Sequence, residues 1–236
     1  MPPRTIAIGD IHGCHLALAA LLTEISPQPE DTIITLGDYI DRGPDSQNVV
    51  DQLLDLSGVT RLVTLLGNHE IMLLDVLAGS DDGEAWKQYG GKETLASYGG
   101  DLDKIPKSHR FFFENLRHAH ETSNHFFVHA NYHPDLPLES QPEELLFWHH
   151  LRPPITRPHF SGKTAVVGHT PQKTGKVLRF PHVVGIDTFC FGSGWLTAYD
   201  VNTKQVWQAN RLGEINPSPE VNDQDADDLD GPAEPV

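Results

Sequence analysis

The chain has 236 residues, 38% of them hydrophobic, and a net charge of −16; this suits one domain, or one domain with appendages, with a sizeable core. No apolar run approaches the roughly 18 residues needed to span a bilayer, and the acidic balance argues against non-specific nucleic-acid binding, which needs clustered Lys and Arg. An anionic substrate stays open, because metal ions can supply local positive charge.

The opening MPPRTIAIGD has too short an apolar stretch for a signal peptide. Two cysteines, Cys14 and Cys190, cannot make a disulfide framework, so a cytoplasmic setting is expected. TIAI (5–8) reads as a strand, and 15–25 as a helix with Leu18, Leu21, Leu22 and Ile25 on one face. TIITL (32–36) is a second strand. The run 45–57 has a capping residue followed by Val49, Val50, Leu53 and Leu54 at helical spacing. LVTLL (62–66) is a third strand, and 69–79 a helix ending at a glycine. This βαβαβα order predicts a largely parallel sheet. Residues 80–125 carry glycine pairs, aromatics and two or three short helices, and form an insert. Beyond it, FFVHA, AVVGH, VVGID, WLTAYDV and KQVWQAN are short β runs that predict a second, mixed or antiparallel sheet.

Residues 214–236 hold eight acidic residues, four prolines and no Lys or Arg, half of the net charge. Such a segment buries too little apolar surface to offset its ordering entropy. The expected organisation is a domain over 1–213 and a disordered acidic tail over 214–236.

Three motifs follow the first three strands: GDIHG from Gly9, GDYIDRG from Gly37 and GNHE from Gly67. In a parallel sheet the carboxyl ends of strands share one edge, where ligands bind. Asp10, His12, Asp38, Asp41, Arg42, Asn68 and His69 should therefore converge. Two later runs end in His129 and His169. Oxygen and imidazole donors without thiolate suit Mn²⁺, Fe or Zn²⁺ better than Ca²⁺. Six such donors (Asp10, His12, Asp38, Asn68, His129, His169) exceed the needs of one ion and suit two, bridged by a carboxylate and a water that attacks phosphorus. Arg42 fits as a clamp on phosphate oxygens. His69 fits as a proton donor oriented by Asp41. Glu70 is expected to serve the helix N-terminus.

GDIHG, GDYIDRG and GNHE closely resemble the signature of the PPP-type phosphoprotein phosphatases, within the calcineurin-like metallophosphoesterase superfamily. The HA of FVHA and the GHT of VVGHT are similar to the later histidine motifs. WKQYGGKETLASYG and IDTFCFGSGWLTAYD resemble segments of bacterial and phage members. The resemblance covers about residues 4–210. It implies an α/β metallophosphoesterase fold, a central mixed β-sandwich flanked by helices on both sides, and direct hydrolysis at two divalent metals, Mn²⁺ before Fe or Zn. One metal would take Asp10, His12 and Asp38; the other Asp38, Asn68, His129 and His169; Asn68 would also contact phosphate. Related bacterial phosphatases carry a second phosphate-clamping Arg two residues after a Trp. Here that slot, after Trp148, holds His150; Arg152 reaching in is the favoured clamp, the alternatives being His150 as its substitute or a weaker second clamp. The expected substrate is a phosphoserine or phosphothreonine protein. The alternative is a bis(5′-nucleosyl) polyphosphate or other small phosphoester, which needs a nucleobase pocket rather than an open groove; residues 80–125, with Trp86, Tyr89 and Tyr98, can build either. A catalytically weak metal-binding recognition module is disfavoured by the full set of candidate groups.

Overall fold

In a computed structural model, residues 2–153 and 155–224 are described. The first half follows the predicted alternation: β1 (Thr5–Ile8), α1 (His15–Ile25), β2 (Thr32–Thr35), α2 (Ser46–Ser57), β3 (Arg61–Thr64) and α3 (Asn68–Ala78). The Asp45 side chain accepts from the Asn48 amide at 3.0 Å and caps α2. The insert is a chain of short helices: α4 (Glu84–Trp86), a π turn (Lys87–Gly91), α5 (Lys92–Ser97), a 3₁₀ turn (Leu102–Lys104) and α6 (Lys107–Glu114). Then come β4 (Ala119–Glu121), β5 (His125–Val128), α7 (Glu143–Trp148), β6 (Thr164–Val167), β7 (Val177–Phe180), β8 (Val183–Gly185), β9 (Asp187–Thr188), β10 (Trp195–Asp200), β11 (Val206–Ala209) and β12 (Val221–Asp223).

The strands make two sheets, in the orders β11-β10-β1-β2-β3 and β12-β7-β8-β6-β5-β4, with β9 paired to β10. β1, β2 and β3 run parallel, as expected. The hairpin β10–β11 does not join the second sheet as predicted; β10 pairs antiparallel with β1, Ala7 opposite Tyr199, and closes the first sheet's edge.

Side-chain alternation along the strands then builds the layers. Ile6, Ile8 and Ile33 point to α1 and α2, packing on Leu18, Leu21, Val50 and Leu53. Their neighbours Ala7 and Ile34 face Phe127, Val166 and Val184 of the other sheet. Phe126, Val128, Ala165 and Val167 point outward, under Leu146 and Phe147 of α7. This is the expected sandwich with helices on both faces. No helix among the described residues is long and apolar enough to cross a membrane.

The boundary drawn at residue 213 moves. Ile215 bridges Ala209, and β12 lies parallel on β7, with the Arg179 guanidinium donating to Asp223 at 2.5 and 2.8 Å. Ile215, Val221 and two ion pairs, Arg179–Asp223 and Lys176–Glu220, anchor residues that the acidic composition of the whole segment assigned to disorder. The rest of that predicted tail, 225–236, lies outside the described residues.

Candidate active site

Because β1, β2 and β3 are parallel and adjacent, their three motif loops meet at one edge, where backbone bonds join the first to the second and side-chain bonds tie in the third. The amides of Ile11 and His12 donate to the Asp38 carbonyl at 3.0 and 2.8 Å, and that of Gly13 to Tyr39 at 2.8 Å. Glu70 does more than serve its helix end. Its carboxylate accepts from Gly67 at 3.1 Å, and from Asp38 and Tyr39 at 2.9 and 2.8 Å, so it ties the second loop to the third. A side chain on Gly67 would collide with the Asp38 carboxylate and with this tie. Among the described residues eight non-glycines have left-handed φ, and five of them are His12, Asp38, Asp41, Arg42 and His169. Such backbone costs of order 1–3 kcal/mol per residue and persists where the surroundings over-determine it, typically at functional sites.

The donor atoms have an informative polarity. His12 Nδ1 lies 2.9 Å from the Ile40 carbonyl and His129 Nδ1 2.8 Å from that of Leu36. His169 Nε2 lies 3.2 Å from the Trp148 carbonyl. A carbonyl only accepts, so each of these nitrogens carries the proton, and the opposite nitrogen presents a lone pair. His129 Nε2 and His169 Nδ1 then face the Asn68 Oδ1 at 3.0 and 3.1 Å. His129 Nε2 and His12 Nε2 each lie 3.5 Å from an oxygen of Asp38. Acceptors aimed at acceptors fit a cation among them. One ligand atom each from His12, Asp38 and His69 lies within 4.8 Å of the others, and the same holds for Asp38, His129 and His169. Asp38 is common to both sets. Asp10 stands outside them; its two oxygens accept from the His169 amide at 3.1 and 3.0 Å.

Charge points the same way. Asp10, Asp38, Asp41, Glu70 and Asp187 are all buried at this edge, while Arg42 is the one Lys or Arg among the described residues lining the cleft above them. Burial, with Asp187 and Asp38 nearby, pushes the Asp10 carboxyl well up, and burial takes Asp187 to about 7. Burial lowers His12 and His129 and takes His169 to about 3, which favours the neutral rings that the carbonyl contacts assign. Buried anions without partners are costly, and divalent cations meet that need.

His69 Nδ1 lies 2.6 Å from Asp41 Oδ2, and its Nε2 is 3.9 Å from Asp38 Oδ2, turned to the cleft. Asp41 also accepts from Trp86 Nε1 at 2.9 Å and Thr94 Oγ1 at 2.6 Å. Trp86 and Thr94 belong to the insert, and nothing in their local pattern announced this role. Gly90, φ +113°, accepts from the Arg42 amide at 3.2 Å; a Cβ there would sit 2.5 Å from that nitrogen. The Arg42 guanidinium rests 4.6 Å above the Phe191 ring, with Nη1 3.1 Å from His12 Nε2. Asp187 and Phe191, from the segment around β9, were likewise not singled out by spacing.

The cleft, about 240 Å³, exposes Asp38, Arg42, Asn68, His69 and His169 between Tyr89, Trp148 and His150. His150, not the favoured Arg152, stands in its wall, its ring stacked on His169 at 4.7 Å. Buried Leu151, whose amide donates to Thr170 Oγ1 at 2.8 Å, fixes His150 beside His169 and carries Arg152 past the cleft to an exposed position. Of the three aromatics considered for a base pocket, Trp86 and Tyr98 are buried and Tyr89 alone lines the cleft.

A four-layer sandwich whose strand-end loops gather carboxylates and imidazoles for divalent ions defines a metal-dependent hydrolase of phosphoric esters. The family profile for calcineurin-like phosphoesterases matches residues 3–201, and the chain belongs to that family. It is 47% identical over 76 residues to a symmetrical bis(5′-nucleosyl)-tetraphosphatase of Photorhabdus laumondii subsp. laumondii; the match spans 32% of this chain and 27% of the relative, about a quarter of that protein's length. The fold superposes on a structure provisionally assigned as a diadenosine tetraphosphatase (TM-score 0.66, 24% identity, 89% of this chain and 94% of the other). It also superposes on a cold-active protein-tyrosine phosphatase of Shewanella sp. (TM-score 0.67, 16% identity, 92% and 80%).

Proposed function

We propose that this phosphoesterase hydrolyses dinucleoside polyphosphates, the small-molecule alternative, rather than phosphoproteins. The activity of the symmetrical tetraphosphatases it resembles supports this reading. The observation that carries it is the cleft itself: reacting groups lie at the bottom of a confined space with exposed Tyr89 and Trp148 at its sides. Aromatic faces of this kind stack a nucleobase while the phosphate chain reaches inward.

Asp10, His12 and Asp38 would hold one divalent ion, and Asp38, Asn68, His129 and His169 the other, with Mn²⁺ the preferred metal. When bound, the ions supply Lewis acidity and a nucleophilic water. The chain's own residues do the rest. Arg42, braced by Phe191 and by Gly90, holds a phosphate oxygen. His69 delivers a proton from Nε2 to the departing oxygen, and Asp41 keeps its ring oriented and stabilises its cation. Asn68 reaches the same phosphate.

The test is kcat/KM with Mn²⁺ for diadenosine tetraphosphate, p-nitrophenyl phosphate and a phosphoserine peptide. The dinucleotide should lead and give ADP as its sole nucleotide product. A phosphopeptide turned over faster than the dinucleotide would restore the phosphoprotein reading.

A further inference from the structure

Across Arg42 from the reacting groups lies a second cleft, about 590 Å³, walled by Lys87, Tyr89, Lys92 and Phe191. Arg42 and Tyr89 line both clefts, so the two adjoin at these side chains. On a chain of net charge −16, this cleft gathers Arg42, Lys87 and Lys92 against one acid, Glu93. Lys87 reaches out to Glu84 at 2.9 Å. Lys92 is exposed and makes no ion pair among the described residues. Phe191 is held in place between Arg42, His12 and Phe189, with ring distances of 4.9 Å to His12 and 4.8 Å to Phe189.

The cleft thus offers what a nucleotide needs: cations for phosphates, and the exposed ring of Tyr89 for a base. Its size falls within the roughly 300–1,000 Å³ common for ligand sites, whereas the first cleft, about 240 Å³, is too small for a whole dinucleotide. A dinucleoside tetraphosphate cut at its centre has two equal arms. When water's oxygen bonds to one central phosphorus and the bridging P–O bond breaks, each arm departs as a nucleoside diphosphate, the leaving oxygen having taken one proton. A site that does this needs an arm-sized space on either side of the scissile bond.

We propose that the cleft walled by Lys87, Tyr89, Lys92 and Phe191 binds the second nucleoside diphosphate arm of the substrate, with Arg42 at the junction. This rests on the dinucleotide reading above. The test is calorimetric titration of the Mn²⁺-loaded protein with ADP, in the wild type and in the double variant Lys87→Ala/Lys92→Ala. The wild type should bind two ADP per chain, one in each cleft, and the double variant one. The ratio of kcat/KM for diadenosine tetraphosphate to that for p-nitrophenyl phosphate should fall about tenfold or more per lysine, as loss of a charge-assisted phosphate contact predicts. Lys92→Arg, which keeps the charge, should retain the second ADP. One ADP per chain in the wild type, or two in the double variant, would overturn the assignment. If the wild type leaves the dinucleotide intact but loses one ADP site in the double variant, the reading of the substrate fails while the cleft stands. Rapid dinucleotide turnover with ADP binding indifferent to the lysines would leave the substrate reading and remove the cleft.

Discussion

The floor of the cleft and its rim are built on opposite terms. Asp38 and His129 on the floor are 2% and 0% exposed, while Tyr89 and Trp148 on the rim are 60% and 44% exposed. Floor residues sit in left-handed backbone and in bonds that cross three loops; rim residues come from a π turn and from the last residue of a short helix. The floor stores strain and negative charge, and its chemistry tolerates little change. The rim carries exposed side chains that brace little, and on the proposed reading changes there should redirect the enzyme without stopping it.

The sharpest break in this contrast is Asp38→Asn, at the atom set both donor groups share. It should take turnover of every substrate below detection and release metal, measured by kinetics beside elemental analysis. His69→Asn should keep metal yet slow an alkyl phosphate by about 10²–10⁴-fold, and p-nitrophenyl phosphate much less, because the phenolate leaves without needing a proton. Equal slowing of both substrates, or lost metal, would make His69 a ligand. Trp86→Phe removes one donor from Asp41 while keeping an aromatic ring at the site. It should lower kcat about 10-fold, in line with partners that act through an orienting carboxylate, at unchanged KM. On the rim, Trp148→Ala should raise KM for diadenosine tetraphosphate by roughly tenfold, the worth of a lost base stack, with little effect on p-nitrophenyl phosphate. A Trp148→Ala enzyme that lost kcat on both substrates would place that side chain on the floor instead. The smallest effect lies far from both. A chain ending at Gln224 should melt like the full protein, and one ending at Gly213, which lacks β12, about 2–4 °C lower for each kcal/mol lost.

The floor was legible in the sequence to the degree that its residues announce themselves by turn chemistry. Asp10, His12, Asp38, Asp41, Asn68 and His69 follow strand ends beside glycines, and a parallel sheet forces such ends together. Asp187 closes the run VVGID, in which an acid after apolar residues marks nothing by itself; only the long-range pairing of β9 with β10 brings it near Asp10. Pairing likewise decided the sheet of β10 and β11, because alternation along a strand shows two faces but not which neighbour it takes. Arg152 was favoured on charge, whereas Leu151, an apolar anchor between the two candidates, leaves His150 in the cleft wall beside His169. β12 was hidden by averaging composition over a segment whose first part holds Ile215 and Val221.

The central claim is that buried carboxylates and proton-free imidazole nitrogens around Asp38 form a centre that works only with divalent cations. Metal content by elemental analysis, followed against turnover of p-nitrophenyl phosphate as chelator strips the wild-type protein and Mn²⁺ is returned, tests it most directly. Activity should track metal up to about two ions per chain and vanish in the stripped protein. Full turnover in protein verified to be metal-free would contradict the account.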